Sequence, residues 1–166
     1  MVTYFSRMLE SASSAVTIDL KAEYALRVLQ VAEVLSGEDS ESYAQYLMRV
    51  LKTIEGEDTG GKVIREVVDY ALTYIRTGAF SVVVERTRLP VTLASFSAVD
   101  GVTVLLTTLT EENVAMGPTL LLITAALACE YSRSVAISPE SLLRGLSIRF
   151  PMCTGKLIRW TMCALD

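Results

Sequence analysis

The sequence contains no histidine. Its absence removes the side chain that most often serves as a general base near neutral pH and as a zinc ligand, so hydrolase triads and His-containing metal sites are excluded. Cysteine is scarce as well. Cys129, Cys153 and Cys163 are an odd number with no C-x-x-C spacing, which suggests neither a disulfide framework nor a thiolate metal site and leaves buried free thiols in a reducing compartment as the expectation. The most apolar segment, from Pro118 to Cys129, spans 12 residues, short of the ~20 needed to cross a bilayer. The opening stretch MVTYFSRMLESASS carries acids and hydroxyls where a secretory signal needs an apolar core, so no export is implied. Positive charge is in deficit. Lys+Arg 15 against Asp+Glu 19 gives a net −4, a field that repels nucleic acid and anionic lipid unless a local patch overrides it. The deficit is uneven: residues 1–75 hold 12 acids and 7 bases, residues 76–166 hold 7 acids and 8 bases, so the chain is polarised at −5 against +1.

What is present is apolar material in helical register. At 51% hydrophobic, the 166 residues suffice for one domain with a proper core. After a short amphipathic start around Tyr4, Phe5, Met8 and Leu9, a helix is predicted from about Asp19 to Leu35, with Glu23 in its first turn and Gly37 past its end. Ser40 offers an N-cap to a second helix whose Tyr43, Tyr46, Leu47, Val50, Leu51 and Ile54 recur at steps of three and four before Gly56. A further helix is predicted from about Gly61 to Thr77 and closed by Gly78. Phe80 to Val84 is β-branched but has no strand partner, so an extended connector or helical turn is expected. Pro90 favours a helix start, running to a break at Asp100-Gly101, and Val102 to Leu109 is ambiguous between strand and helix. Pro118 opens a helix predicted to be buried on all sides. Ser138-Pro139-Glu140 starts another, with Leu142, Leu143, Leu146 and Phe150 inward and Pro151 as its stop. The last segment, from Thr154, keeps Ile158, Met162 and Leu165 in register to Asp166, so the natural protein is expected to continue.

Two motifs invite a chemical reading and fail it. Gly56-Glu57-Asp58-Thr59-Gly60-Gly61-Lys62-Val63 nearly matches the phosphate-binding loop G-x-x-x-x-G-K-[ST], yet Val63 lacks the magnesium-holding hydroxyl and Glu57 and Asp58 place negative charge where phosphates would sit. A glycine-rich turn between helices is the expectation. Glu111-Glu112 lies in a turn-like stretch, where adjacent carboxylates rarely face each other as an acid and base pair must. Two basic groups, Arg76, Arg86 and Arg88, then Arg144, Arg149, Lys156 and Arg159, are the candidates for contact with an anionic surface, phosphate or headgroup, or are ordinary exposed charges.

The order of segments resembles the N-terminal domain of orthomyxovirus matrix proteins, in a divergent, Thogoto-like form. Leu20-Lys21-Ala22-Glu23 opens a helix at about the family's distance from the N-terminus, and Leu51-Lys52-Thr53 falls in a segment similar to its third helix. Val84-Glu85-Arg86-Thr87-Arg88 is similar to the family's arginine-bearing turn, Ala126-Leu127-Ala128-Cys129 to its central buried helix, and Ser138 to Leu146 to the helix after it. The stretch aligned with the family's basic run, Val102 to Glu112, has no basic residue, so nuclear import or RNA binding is not expected from that helix.

The resemblance implies an all-α fold, a compact single domain over 1–166 of about eight or nine helices in two small bundles, about 1–78 and 79–166, around a central buried helix. It implies a structural role, not an enzymatic one: self-assembly beneath a viral envelope, linking the anionic inner membrane surface, touched peripherally, to ribonucleoprotein or RNA during assembly and budding. The places of action it implies are the virion, the host cytoplasm and the inner face of the plasma membrane, with the nucleus left open. No cofactor, metal or small-molecule substrate is expected. The alternatives are a helical groove-type interaction module such as a viral Bcl-2-like regulator, and a nucleoprotein fragment, which would need more positive charge.

Overall fold

The computed structural model describes residues 4, 7–8, 10–11, 17–37, 39–55, 63–78 and 91–149 of the chain. Among the described residues the protein is all-helical, with no strand and six α-helices: α1 (Ile18–Ser36), α2 (Ser40–Glu55), α3 (Arg65–Thr73), α4 (Val91–Thr110), α5 (Pro118–Tyr131) and α6 (Pro139–Arg149). The end of α3 widens into a π-helical turn, Tyr74–Gly78. Tyr4, Arg7, Met8, Glu10 and Ser11 are helical ahead of α1. The glycine-rich stretch 56–62, the Val-rich stretch 80–84, Pro151 and the final segment from Thr154 lie outside the described residues.

Local chemistry sets most boundaries. Thr17 Oγ1 accepts from Leu20 N at 3.4 Å to start α1, and Gly37, at φ +60°, ends it by donating its N–H to Glu33 O at 3.1 Å. Ser138 Oγ accepts from Ser141 N at 3.2 Å ahead of Pro139, the arrangement its sequence predicts. At α2 the expected cap moves by one residue. Asp39 does the capping, its Oδ1 accepting from Glu41 N at 3.1 Å, while Ser40 is the first helical residue and its hydroxyl accepts from Gly101 N at 3.2 Å on α4.

That contact explains the largest departure from expectation. Asp100-Gly101 does not break the chain; α4 runs through it without interruption, and Val102 to Leu109 is helix. A Cβ on Gly101 would lie 2.5 Å from Ser40 O, so the glycine marks the point where α2 and α4 cross backbone to backbone. Gly145 does the same between α6 and α4, where a Cβ would lie 2.2 Å from Leu109 O.

The helix α2 packs against α1, α4 and α5, while α6 packs on α4 and α5. Its inward stripe of Tyr43, Leu47, Val50, Leu51 and Ile54 is at most 2% exposed, and each such side chain contributes about 1.5–3 kcal/mol relative to exposure. In α5 every residue from Thr119 to Ala125 is buried, as are Leu127 and Ala128. With no polar face to offer water, the helix is enclosed by α2, α3, α4 and α6. One hydrophobic cluster runs from Ala22 on α1 to Leu146 on α6.

Candidate functional site

The proposed anion-contact residues have different fates. Arg76 is exposed at the end of α3 and forms a two-pronged ion pair with Glu130 of α5, its Nε donating at 3.0 Å. Arg144 is exposed on α6 with Glu112 3.5 Å away. Arg149, expected on an exposed face, is 5% exposed and points inward. Its Nη1 donates to Leu109 O at 2.7 Å and Gly145 O at 3.1 Å, and its Nη2 to the carbonyls of Glu111, Thr108 (3.4 Å) and Val114 (3.3 Å). A guanidinium is thus spent on the orphan carbonyls at the C-terminal end of α4, where the helix dipole favours a cation. Burial pulls its pKa below the ordinary arginine value, and Glu112 opposes that shift. Arg86, Arg88, Lys156 and Arg159 lie outside the described residues. Of both basic groups, the described residues therefore leave Arg76 and Arg144 at the surface, each beside a carboxylate.

The most concentrated polar chemistry is internal. Glu55, on the last turn of α2, is 3% exposed, and its Oε1 accepts from Thr119 N at 2.7 Å, in the first turn of α5. Thr119 Oγ1 in turn accepts from Ile64 N at 3.1 Å, just ahead of α3. Three helix ends meet at this knot. Glu55 Oε2 has no hydrogen-bond partner and lies against Gly117, where a Cβ would meet it at 1.8 Å. Burial pushes the Glu55 carboxyl above the ordinary carboxylate range, opposed by donors from Thr119 and Leu120. The N-terminus of α5, the end that would attract a phosphate, is already occupied by this carboxyl group.

A second cluster joins α1, α2 and α3. Tyr70 donates its hydroxyl to Glu33, and the Tyr43 and Tyr74 rings meet at 4.3 Å between centroids, tilted by 45°. The Glu33 carboxyl is raised by desolvation, with the Tyr70 bond opposing. The buried hydroxyl of Tyr43 has no partner.

Among the described residues the surface has apolar side chains in two separate depressions. A shallow cleft of about 200 Å³ between α5 and α6 is lined by Ala128, Cys129, Leu142, Leu143 and Leu146, with Leu143 61% exposed. A more open groove of about 440 Å³, part polar, runs along α1, between Tyr4 and Met8 on one side and Arg27, Gln30, Val31 and Val34 on the other. Val34 is 67% exposed. Cys129, expected to be buried, is exposed because it falls where α5 emerges from the core beside Glu130. Partial burial and the Glu130 charge raise its thiol pKa, which makes it a poorer nucleophile. Among the described residues no three His, Cys, Asp or Glu side chains are grouped to hold a metal, and no helix is long and apolar enough to cross a membrane.

No family model, curated protein or solved structure matches this chain. Its functional reading therefore rests on its own residues. Sequence reading passed over Glu33, Glu55 and Thr119, although a signal was there: Glu55 continues the buried series Tyr43, Leu47, Leu51 at steps of four, and Arg149 stands in step with Leu142 and Leu146.

Proposed function

We propose that the chain is a structural protein that works by self-assembly, a matrix-type domain that forms a layer beneath a viral envelope and links an anionic membrane surface to ribonucleoprotein. The observation that carries this reading is the pair of unlike apolar surfaces, one on α1, which packs on α2 and α3, and one on α6, which packs on α4 and α5. Two different sticky surfaces on one chain suit heterologous, head-to-tail contact, which propagates into open strands unless its rotation happens to close. The polarity of −5 in residues 1–75 against +1 in the remainder favours the same sense, since unlike ends attract. In this reading the domain is built as two small bundles, about 1–78 and 79–166, around α5, and it acts in the virion and at the inner face of the plasma membrane.

Sedimentation of the purified chain is expected to show concentration-dependent association that weakens as salt rises. A twofold dimer joining two N-terminal halves and insensitive to salt would overturn the head-to-tail arrangement. Membrane or RNA contact is assigned to the basic groups. Replacing Arg76, Arg86 and Arg88 together by Ala is expected to weaken binding to anionic liposomes and to lower its salt dependence. Because Arg76 is paired with Glu130, most of that loss is expected from the other two. Unchanged binding would move the contact elsewhere.

A groove-type interaction module is the second reading, favoured by the leucine-lined cleft between α5 and α6. It requires the chain to stay monomeric in the same sedimentation experiment.

A further inference from the structure

We propose that Glu55 is a proton-operated latch on the junction of α2, α3 and α5, seated more firmly when its carboxyl is neutral than when it is ionised. The geometry carries this. A side chain 97% removed from water has one oxygen bonded to Thr119 N and the other against Gly117 without a donor. An ionised carboxylate has lone pairs on both oxygens to satisfy, and the pocket serves one side of it. The carboxyl also rides on the last turn of α2, where that helix's own carbonyls disfavour negative charge, while the N-terminus of α5 favours it. The two dipoles pull in opposite directions, and desolvation then decides.

Among the described residues no cation is paired with the carboxyl; Lys52, on the same last turn of α2, is exposed. From α1, Lys21 directs its ammonium to Ile54 O at 3.5 Å. From α3, Arg65 and Glu66 are exposed; Asp100 of α4 lies beside Gly101 at the Ser40 end of α2, the opposite end from Glu55. α5 has no ionisable residue before Cys129 at its far end. None of the three ion pairs among the described residues includes Glu55.

The consequence for stability has a definite sign. With the carboxyl held above its ordinary range, the native protein keeps a proton that the unfolded chain has already released. The contribution is complete below the unfolded value and is lost as pH rises through the folded one. A rise in pH, not a fall, loosens the start of α5. Because Thr119 also receives Ile64 N, the loosening reaches α3.

The test uses the full chain. The carboxyl carbon of Glu55 is followed by NMR as pH is varied, and denaturant unfolding is measured at steps from pH 4.5 to 8. Glu55 is expected to titrate above the model-peptide value of about 4.3. Over that window the unfolding equilibrium constant should rise with pH, by up to about tenfold per pH unit for one linked proton. Amide protection at Thr119 and Leu120, corrected for intrinsic exchange, should fall in parallel. Glu33 contributes in the same direction, so Glu55→Gln should remove part of the slope and Glu33→Gln another part. Titration of Glu55 at or below the ordinary value, or an unchanged slope in a folded Glu55→Gln protein, overturns the proposal. The NMR titration of the native chain decides it even where Glu55→Gln does not fold.

Discussion

Arg149→Ala is expected to destabilise the fold by about 3 kcal/mol, at the upper end of what a charged hydrogen bond contributes, because one side chain serves carbonyls on three stretches of chain. Removing it leaves Leu109 O and Gly145 O, both buried, without the guanidinium that they share. It also uncouples α6 from the turn after α4, which holds Glu111 and Val114. For a domain of this size the melting temperature should fall by roughly 6–12 °C. Arg149→Lys keeps the positive charge at the α4 dipole but cannot span the same fork of acceptors, so it should recover less than half of the loss. Thermal and urea unfolding of the three proteins settle the matter. An Arg149→Ala variant within 0.5 kcal/mol of the parent would mean that water replaces the guanidinium without penalty.

Gly101→Ala is expected to lower stability by about 2–3 kcal/mol, although helix propensity alone predicts a gain of nearly 1 kcal/mol for the same change in a helix interior. The opposite signs make this substitution diagnostic. The added methyl meets the main-chain oxygen of Ser40 at 2.5 Å, and a main-chain atom cannot rotate away as a side chain could. Either α2 backs off α4, opening space between the two helices, or α4 bends. Urea unfolding reads the sign directly, and a stabilised Gly101→Ala protein would show that the two helices do not cross as closely as described.

Much of the helical layout was legible. Period-3.6 stripes, Gly37, Pro118 and the Ser138-Pro139 start act within a few residues of themselves, and they correspond to the ends of α1, α5 and α6. Asp100-Gly101 misled for the opposite reason. A glycine that allows a backbone crossing looks, in one dimension, like a glycine that ends a helix, and the partner that distinguishes them is 61 residues away at Ser40. Burial of Arg149 was half legible, since it stands in step with Leu142 and Leu146, while its acceptors are main-chain atoms that leave no trace in composition. The basic groups are neighbours along the chain and visible there, but ion pairing of Arg76 depends on Glu130, 54 residues later. The knot at Glu55 was half legible: its place in the apolar stripe marked it as inward, while Thr119 and Gly117 as its companions required the third dimension.

The crossing of α2 and α4 also bears on how the chain is made. Helices that are not consecutive in sequence share a close contact here, and α3 with everything around it lies between them. As a nascent chain leaves the ribosome, α2 can pack on α1 at once, but the side of α2 that meets α4 stays uncovered until residues through 110 have followed. At cellular rates of about 5–20 residues per second, that interval lasts several seconds. A bundle of sequential hairpins would bury each helix against the next as it appeared. Here α2 meets α1 early but holds the side that meets α4 open, which leaves that side exposed to chaperones and to neighbouring copies during synthesis.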